Sequence, residues 1–128
     1  MHASANLYAA WLGIAMGVLV GFILGINFHR EQWLGGYQTL KRRLYRLAHI
    51  ALFGLALINL GFYFTVSQLP SPGGIIVIAS WGLIVGAVTM PICCVLMAHW
   101  PRLRSLFVIP VLSLFLASVL TLVEVVGI

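Results

Sequence analysis

Acidic side chains are almost missing from this chain. Asp and Glu together number 2 in 128 residues, and charged residues of every kind make up 7%. A soluble domain carries roughly 25% charged residues, so this composition cannot furnish a water-facing surface. The shortage of acids also removes the paired carboxylates of general acid and base catalysis. Cysteine is equally scarce: Cys93 and Cys94 are the only two, adjacent and inside an apolar run. That placement excludes a secretory disulfide framework, and neighbours on a helix face different directions, so no bond between the pair is expected. There is no phosphate-binding Gly-rich loop closed by Gly-Lys-Ser/Thr, no His-Glu-x-x-His zinc helix and no Ser-His-Asp set. No loop is long enough to build a water-filled active site. Residues 1–6 hold no Lys or Arg for a signal-peptide n-region, and the apolar run that follows is too long for an h-region. That run is expected to stay as a mature helix.

What the chain does have is hydrophobic length, 62% of its residues. A transmembrane helix needs about 20 apolar residues at about 1.5 Å each. Residues 7–28, 44–66, 75–98 and 106–126 meet that requirement. They predict an all-α polytopic membrane protein, a single domain over 1–128 built as an antiparallel bundle of four transmembrane helices. Residues 67–74 (Ser-Gln-Leu-Pro-Ser-Pro-Gly-Gly) form a firm helix stop between the second and third spans.

The 7 cationic side chains occupy two short segments: Arg30, Lys41, Arg42, Arg43 and Arg46 in one, Arg102 and Arg104 in the other. Loops on the cytoplasmic side collect Lys and Arg. The basic, neutral, basic alternation predicts that the first and third loops are inside and both termini are non-cytoplasmic, in a bacterial inner membrane. Arg46 falls in the first turn of the second span, where its stem can snorkel. Lys41, Arg42, Arg43, Arg46, Arg102 and Arg104 are expected to meet anionic lipid headgroups, each worth about 1 kcal/mol. Nucleic acid is excluded as a partner because these residues flank membrane-length spans. Tyr8, Trp11, Tyr63 and Trp81 then mark the outer interface, and Trp33, Tyr37 and Trp100 the inner one. The spacing of Trp33, Tyr37, Leu40 and Leu44 predicts a short helix lying on the inner surface.

In the first span, Gly13, Gly17, Gly21 and Gly25 recur every four residues, and His29 is the next member of the series. Residues four apart lie nearly above one another, so one edge of this helix is a bare groove. Such grooves let helices approach closely in lipid. The expected occupant is the third helix, which offers Gly82 and Gly86, or a helix of another subunit. A flat cofactor or a lipid chain ending at His29 is the alternative.

Three histidines gather toward the inner side, His29, His49 and His99. Two axial imidazoles from different helices hold b-type haem in bundles, so these three are candidate ligands for haem b or contacts for a quinone. His49 would lie about 8 Å deeper than the other two if its helix began at Leu44. His49, Asn59 and Tyr63 draw a sparse polar line along the second span, with Asn59 expected to find a partner across a helix interface. Met90, Cys93 and Met97 share one face of the third span, whose Pro91 is expected to kink it. Their soft donors suit Cu(I), and Met and Cys are equally ordinary core fillers. Glu124 is the lone acid inside a span, in line with Ser113, Ala117 and Thr121.

These features predict a small integral subunit or anchor of a larger membrane complex, energy-transducing or electron-transferring, with no catalysis of its own. The lipid bilayer and other membrane subunits are its expected partners. The layout is similar to that of small membrane cytochrome b subunits, a likeness of architecture only. Two other functions fit the same residues: a small transporter or channel component using Glu124, and a cofactor-free assembly or structural protein.

Overall fold

Thr39 explains where the second helix begins. Its backbone is extended and its side-chain oxygen accepts the Arg42 N–H at 3.4 Å, the usual way of satisfying a free donor in the first turn. The helix therefore starts at Leu40, four residues before the apolar run does, and takes Lys41, Arg42 and Arg43 with it. In the computed structural model, which describes residues 3–127, the elements are α1 (Ser4–Asn27), α2 (Leu40–Gln68), α3 (Ile75–His99) and α4 (Val108–Val126). Each of the four is long and apolar enough to cross a membrane, which marks an integral membrane protein of four helices. A 3-10 stretch over Pro101–Phe107 leads into α4, and α3 runs as one helix through the buried Pro91.

The surface-lying helix expected around Trp33 to Leu44 is not formed. Leu40 and Leu44 belong to α2, and Trp33–Gly35 is a single 3-10 turn. Its backbone turns back on itself through φ +53° at Leu34, +84° at Gly35 and +115° at Gly36. Only glycine adopts the last conformation readily, so the Gly35-Gly36 pair forces a reversal that helical spacing of the neighbouring apolar residues could not reveal. The Thr39 hydroxyl holds the reversal from the other side, 2.7 Å from the Gly36 carbonyl and 2.9 Å from that of Leu34.

Each helix packs on the next in the chain, α1 on α2, α2 on α3 and α3 on α4, while α1 meets α3 only briefly. The bundle is thus an open row, and no substantial contact between α1 and α4 closes it. The helices alternate in direction. One end carries the two basic connections, here called the basic end. The other carries the connection between α2 and α3 and is called the neutral end.

Close packing follows the glycines. A Cβ on Gly13 would stand 2.9 Å from Ala56 Cβ, one on Gly17 2.9 Å from the Phe53 ring, and one on Gly21 2.7 Å from His49 Nε2. All three neighbours are on α2. From Gly13 to Gly21 the bare edge of α1 is therefore filled by α2 and not by the third helix. Gly25, the fourth member, meets nothing within 4 Å. Gly82 and Gly86 of α3 face α4 instead: a Cβ on Gly82 would meet Ala117 Cβ at 2.8 Å, and one on Gly86 would run into Leu114. Ser113 Oγ donates to the Gly82 carbonyl at 2.7 Å, a bond that the missing glycine side chain leaves room for.

The apolar core sits at the neutral end, where Ala3, Phe62, Val66, Ile76, Ala79, Leu83 and Ala117 cluster. Elsewhere large apolar side chains point outward, among them Trp11, Phe22, Ile78 and Phe115, each more than half exposed. In water a surface of that kind would drive aggregation. In hydrocarbon it is solvated, and the helical backbone satisfies its own hydrogen bonds.

Candidate functional site

Three side chains from three helices meet in the interior near the neutral end. Asn6 of α1 and Asn59 of α2 have no exposed surface, and Ser80 of α3 is 3% exposed. Asn6 Nδ2 donates to Asn59 Oδ1 at 2.7 Å and to the Ser80 carbonyl at 3.2 Å. The Ser80 hydroxyl donates back to Asn6 Oδ1, and Asn59 Nδ2 donates to the Leu55 carbonyl at 2.9 Å. Among the described residues no buried side-chain polar atom is left without a partner. The triad ties α1, α2 and α3 at one level. Amide pairs across helices in lipid are worth roughly 0.6–2 kcal/mol each.

Toward the basic end, α1 and α3 part. Between them, floored by α2, lies a groove of about 680 Å³. Its walls are apolar: Leu12, Met16 and Val20 of α1, and Ala87, Val88 and Ile92 of α3, over Ala48, Leu52 and Ala56 of α2. Trp33 and Tyr45 border its basic end. There an aromatic row crosses from the end of α1 to the end of α3. Phe28, Trp33, Tyr45, His99 and Trp100 follow one another with ring centroids 6.2, 6.4, 5.8 and 6.0 Å apart. Tyr45 Oη and His99 Nε2 are hydrogen-bonded at 2.7 Å. A second, smaller hollow of about 560 Å³ is bordered by His99, Trp100, Pro101, Arg102 and Leu103, and Leu96 borders both.

The three candidate haem histidines lie at different places. His29 is exposed beyond the end of α1. His49 lies at the α1–α2 interface against Gly21, its ring edge-on to Phe53 at 5.3 Å. His99 pairs with Tyr45. The larger groove is bordered by none of the three and the smaller by His99 alone. With α2 starting at Leu40, His49 lies about 14 Å along its helix. Tyr63, also assigned to the polar line, is half-buried and packs against the neutral-end core beside Phe64. The Cys93 thiol faces the Leu106 carbonyl at 3.6 Å. Among the described residues, Met90 and Met97 included, no group of three or more His, Cys, Asp or Glu could hold a metal ion.

Glu124 reaches across the neutral end. Its Oε1 accepts the Gly73 N–H at 2.5 Å, one residue before the N-cap of α3, where a negative charge is favourable to the helix dipole.

The basic residues divide. Lys41, Arg43, Arg102 and Arg104 are exposed, as headgroup contact requires. Arg42 is not: it is 2% exposed. Its Nε donates to the Trp33 carbonyl at 2.8 Å and its terminal nitrogen to the Arg30 carbonyl. Its guanidinium lies within 6.0 Å of the Trp33, Phe28 and Tyr37 ring centres. Arg42 is thus a strut for the first loop rather than a lipid contact. Half-buried Arg46 lies over Tyr37 at 4.7 Å.

Sequence reasoning missed Asn6 and Ser80. Asn6 sits at the edge of the apolar run and reads as part of a polar terminus, and a lone serine in a span is common. The one available signal was Asn59, which needed a partner. Compared with protein-family models, with curated proteins and with solved structures, the chain matches none.

Proposed function

We propose that this chain is a small integral subunit or anchor of a larger membrane complex, lying in a bacterial inner membrane with its basic loops in the cytoplasm. The observation that supports this reading is where the buried polar side chains direct their hydrogen bonds. Asn6, Asn59 and Ser80 bond to one another and to backbone, and Arg42 bonds to loop carbonyls. None presents a free polar group to the groove. A chain so arranged works by holding its helices in place and offering apolar faces, and the open row leaves α1 and α4 at its margins.

An electron-transfer role belongs to the same reading as its redox version, with haem b or a quinone near His49 or His99. Purification of the native protein in mild detergent tests both levels. The proposal expects other membrane chains to co-purify in fixed ratio. Recovery of the 14.0 kDa chain alone under conditions that preserve known complexes would refute it. The redox version further expects a Soret band or extractable quinone in that preparation, and a preparation with neither ends it.

A further inference from the structure

We infer that the groove between α1 and α3 is a binding site for one anionic phospholipid. Its acyl chains lie on the α2 floor and its phosphate sits at the Lys41, His99 and Arg102 mouth. The first argument is length. The groove runs on α2 from Tyr45 to Ala56, on α3 from Ile84 to Leu96 and on α1 from Ala9 to Leu24, about 16 to 23 Å at the helical rise. One leaflet of a bilayer contributes about 15 Å of hydrocarbon, half of the roughly 30 Å core. The groove is therefore at least one leaflet deep and shorter than the whole hydrocarbon core. A second transmembrane helix would need a groove running the whole way, and the Asn6, Asn59 and Ser80 triad closes this one before the neutral end.

The second argument is chemistry along that length. The shaft is apolar and opens sideways between two helices, so hydrocarbon enters from the bilayer without crossing water. Its basic end meets the aromatic row, at the level where headgroups begin. Beyond Leu96 the smaller hollow presents His99 and Arg102, both exposed. Lys41 holds the next position beyond Tyr45 on the face of α2 that also carries Ala48, Leu52 and Ala56. All 7 Lys and Arg of the chain lie toward this end, while the acid of the spans, Glu124, lies at the other. A phosphodiester is the group that matches an apolar shaft ending in cations. The site does not depend on the subunit proposal: a lone chain would bind the same lipid.

The test is native mass spectrometry of the full chain released from bilayers of equal phosphatidylglycerol and phosphatidylcholine. One phosphatidylglycerol should stay bound per chain. Lys41→Gln with Arg102→Gln should lower the preference over phosphatidylcholine, by roughly fivefold for each cation removed. Ala87→Phe, which fills the shaft, should release the lipid while the thermal unfolding midpoint, compared with that of delipidated wild type, stays put. If that variant fails to fold, Leu12→Trp, at an exposed position on the opposite wall, serves the same purpose. The inference is overturned by wild type that carries no lipid, by equal retention of both lipids, or by unchanged retention in the filled variant. It is also overturned by a dimer that the filled variant dissociates, since the occupant would then be a second copy.

Discussion

Asn6 Nδ2 stands 2.7 Å from Asn59 Oδ1, and that bond joins the first turn of α1 to the second half of α2 with neither residue exposed. The Ser80 carbonyl shares the same donor at 3.2 Å. Above this level three helices are held together. Below it α1 and α3 separate and the groove opens.

Asn59→Ala should destabilise the protein by roughly 1–2 kcal/mol, because it removes the acceptor for Asn6 and leaves a buried amide short of a partner. Asn6→Ala should cost a similar amount. The double variant should cost clearly less than their sum, since both act on one network. Equilibrium unfolding in mixed micelles measures all three. Additive losses would show that the two amides act independently.

Gly13→Ala and Gly82→Ala should each weaken packing by about 1–3 kcal/mol. Their new Cβ atoms would come 2.9 Å from Ala56 Cβ and 2.8 Å from Ala117 Cβ, with the Leu52 and Ser113 carbonyls close behind. Gly25→Ala and Gly54→Ala, where nothing lies within 4 Å, should be neutral or mildly stabilising. The same unfolding assay ranks the four.

Arg42→Gln should loosen residues 28–39. It removes two charge-assisted bonds to loop carbonyls, each worth about 1.5–3 kcal/mol. Arg43→Gln, at an exposed site, should leave the loop unchanged. Hydrogen exchange of the Gly36 and Thr39 amides, which bond to the Trp33 and Gly36 carbonyls, reports the difference.

Glu124→Leu should free residues 69–74 by removing the acceptor for the Gly73 N–H. Glu124→Gln should retain most of the restraint, because an amide oxygen still accepts, with a loss of about 0.3–1 kcal/mol from the helix-dipole contact. Exchange of the Gly73 amide distinguishes the two variants. Equal protection in both would show that the side chain does not hold this connection.

Much of the architecture was legible because hydrocarbon imposes simple demands on sequence. Four long apolar runs and two glycine series located the helices and five of their close contacts. The partner of each series was not legible: spacing gives a face and not its neighbour, so Gly13 to Gly21 could not declare Ala56, Phe53 and His49. The start of α2 was hidden because Lys41 to Arg43 read as loop, although Thr39 caps them. Arg42 read as a lipid contact because sequence shows charge and not burial. At the candidate site, Tyr45 and His99 are 54 positions apart. Neither carries a local signal of the other, and the groove they border exists only through the divergence of α1 from α3.

The most direct test of the whole account is sidedness in sealed membranes. Ser71→Cys and Ser105→Cys would each be probed with a membrane-impermeant maleimide, against the buried Cys93 and Cys94 as unlabelled background. Labelling of position 71 from the non-cytoplasmic face and of position 105 from the cytoplasmic face is the predicted result. Labelling of both from one face would contradict it.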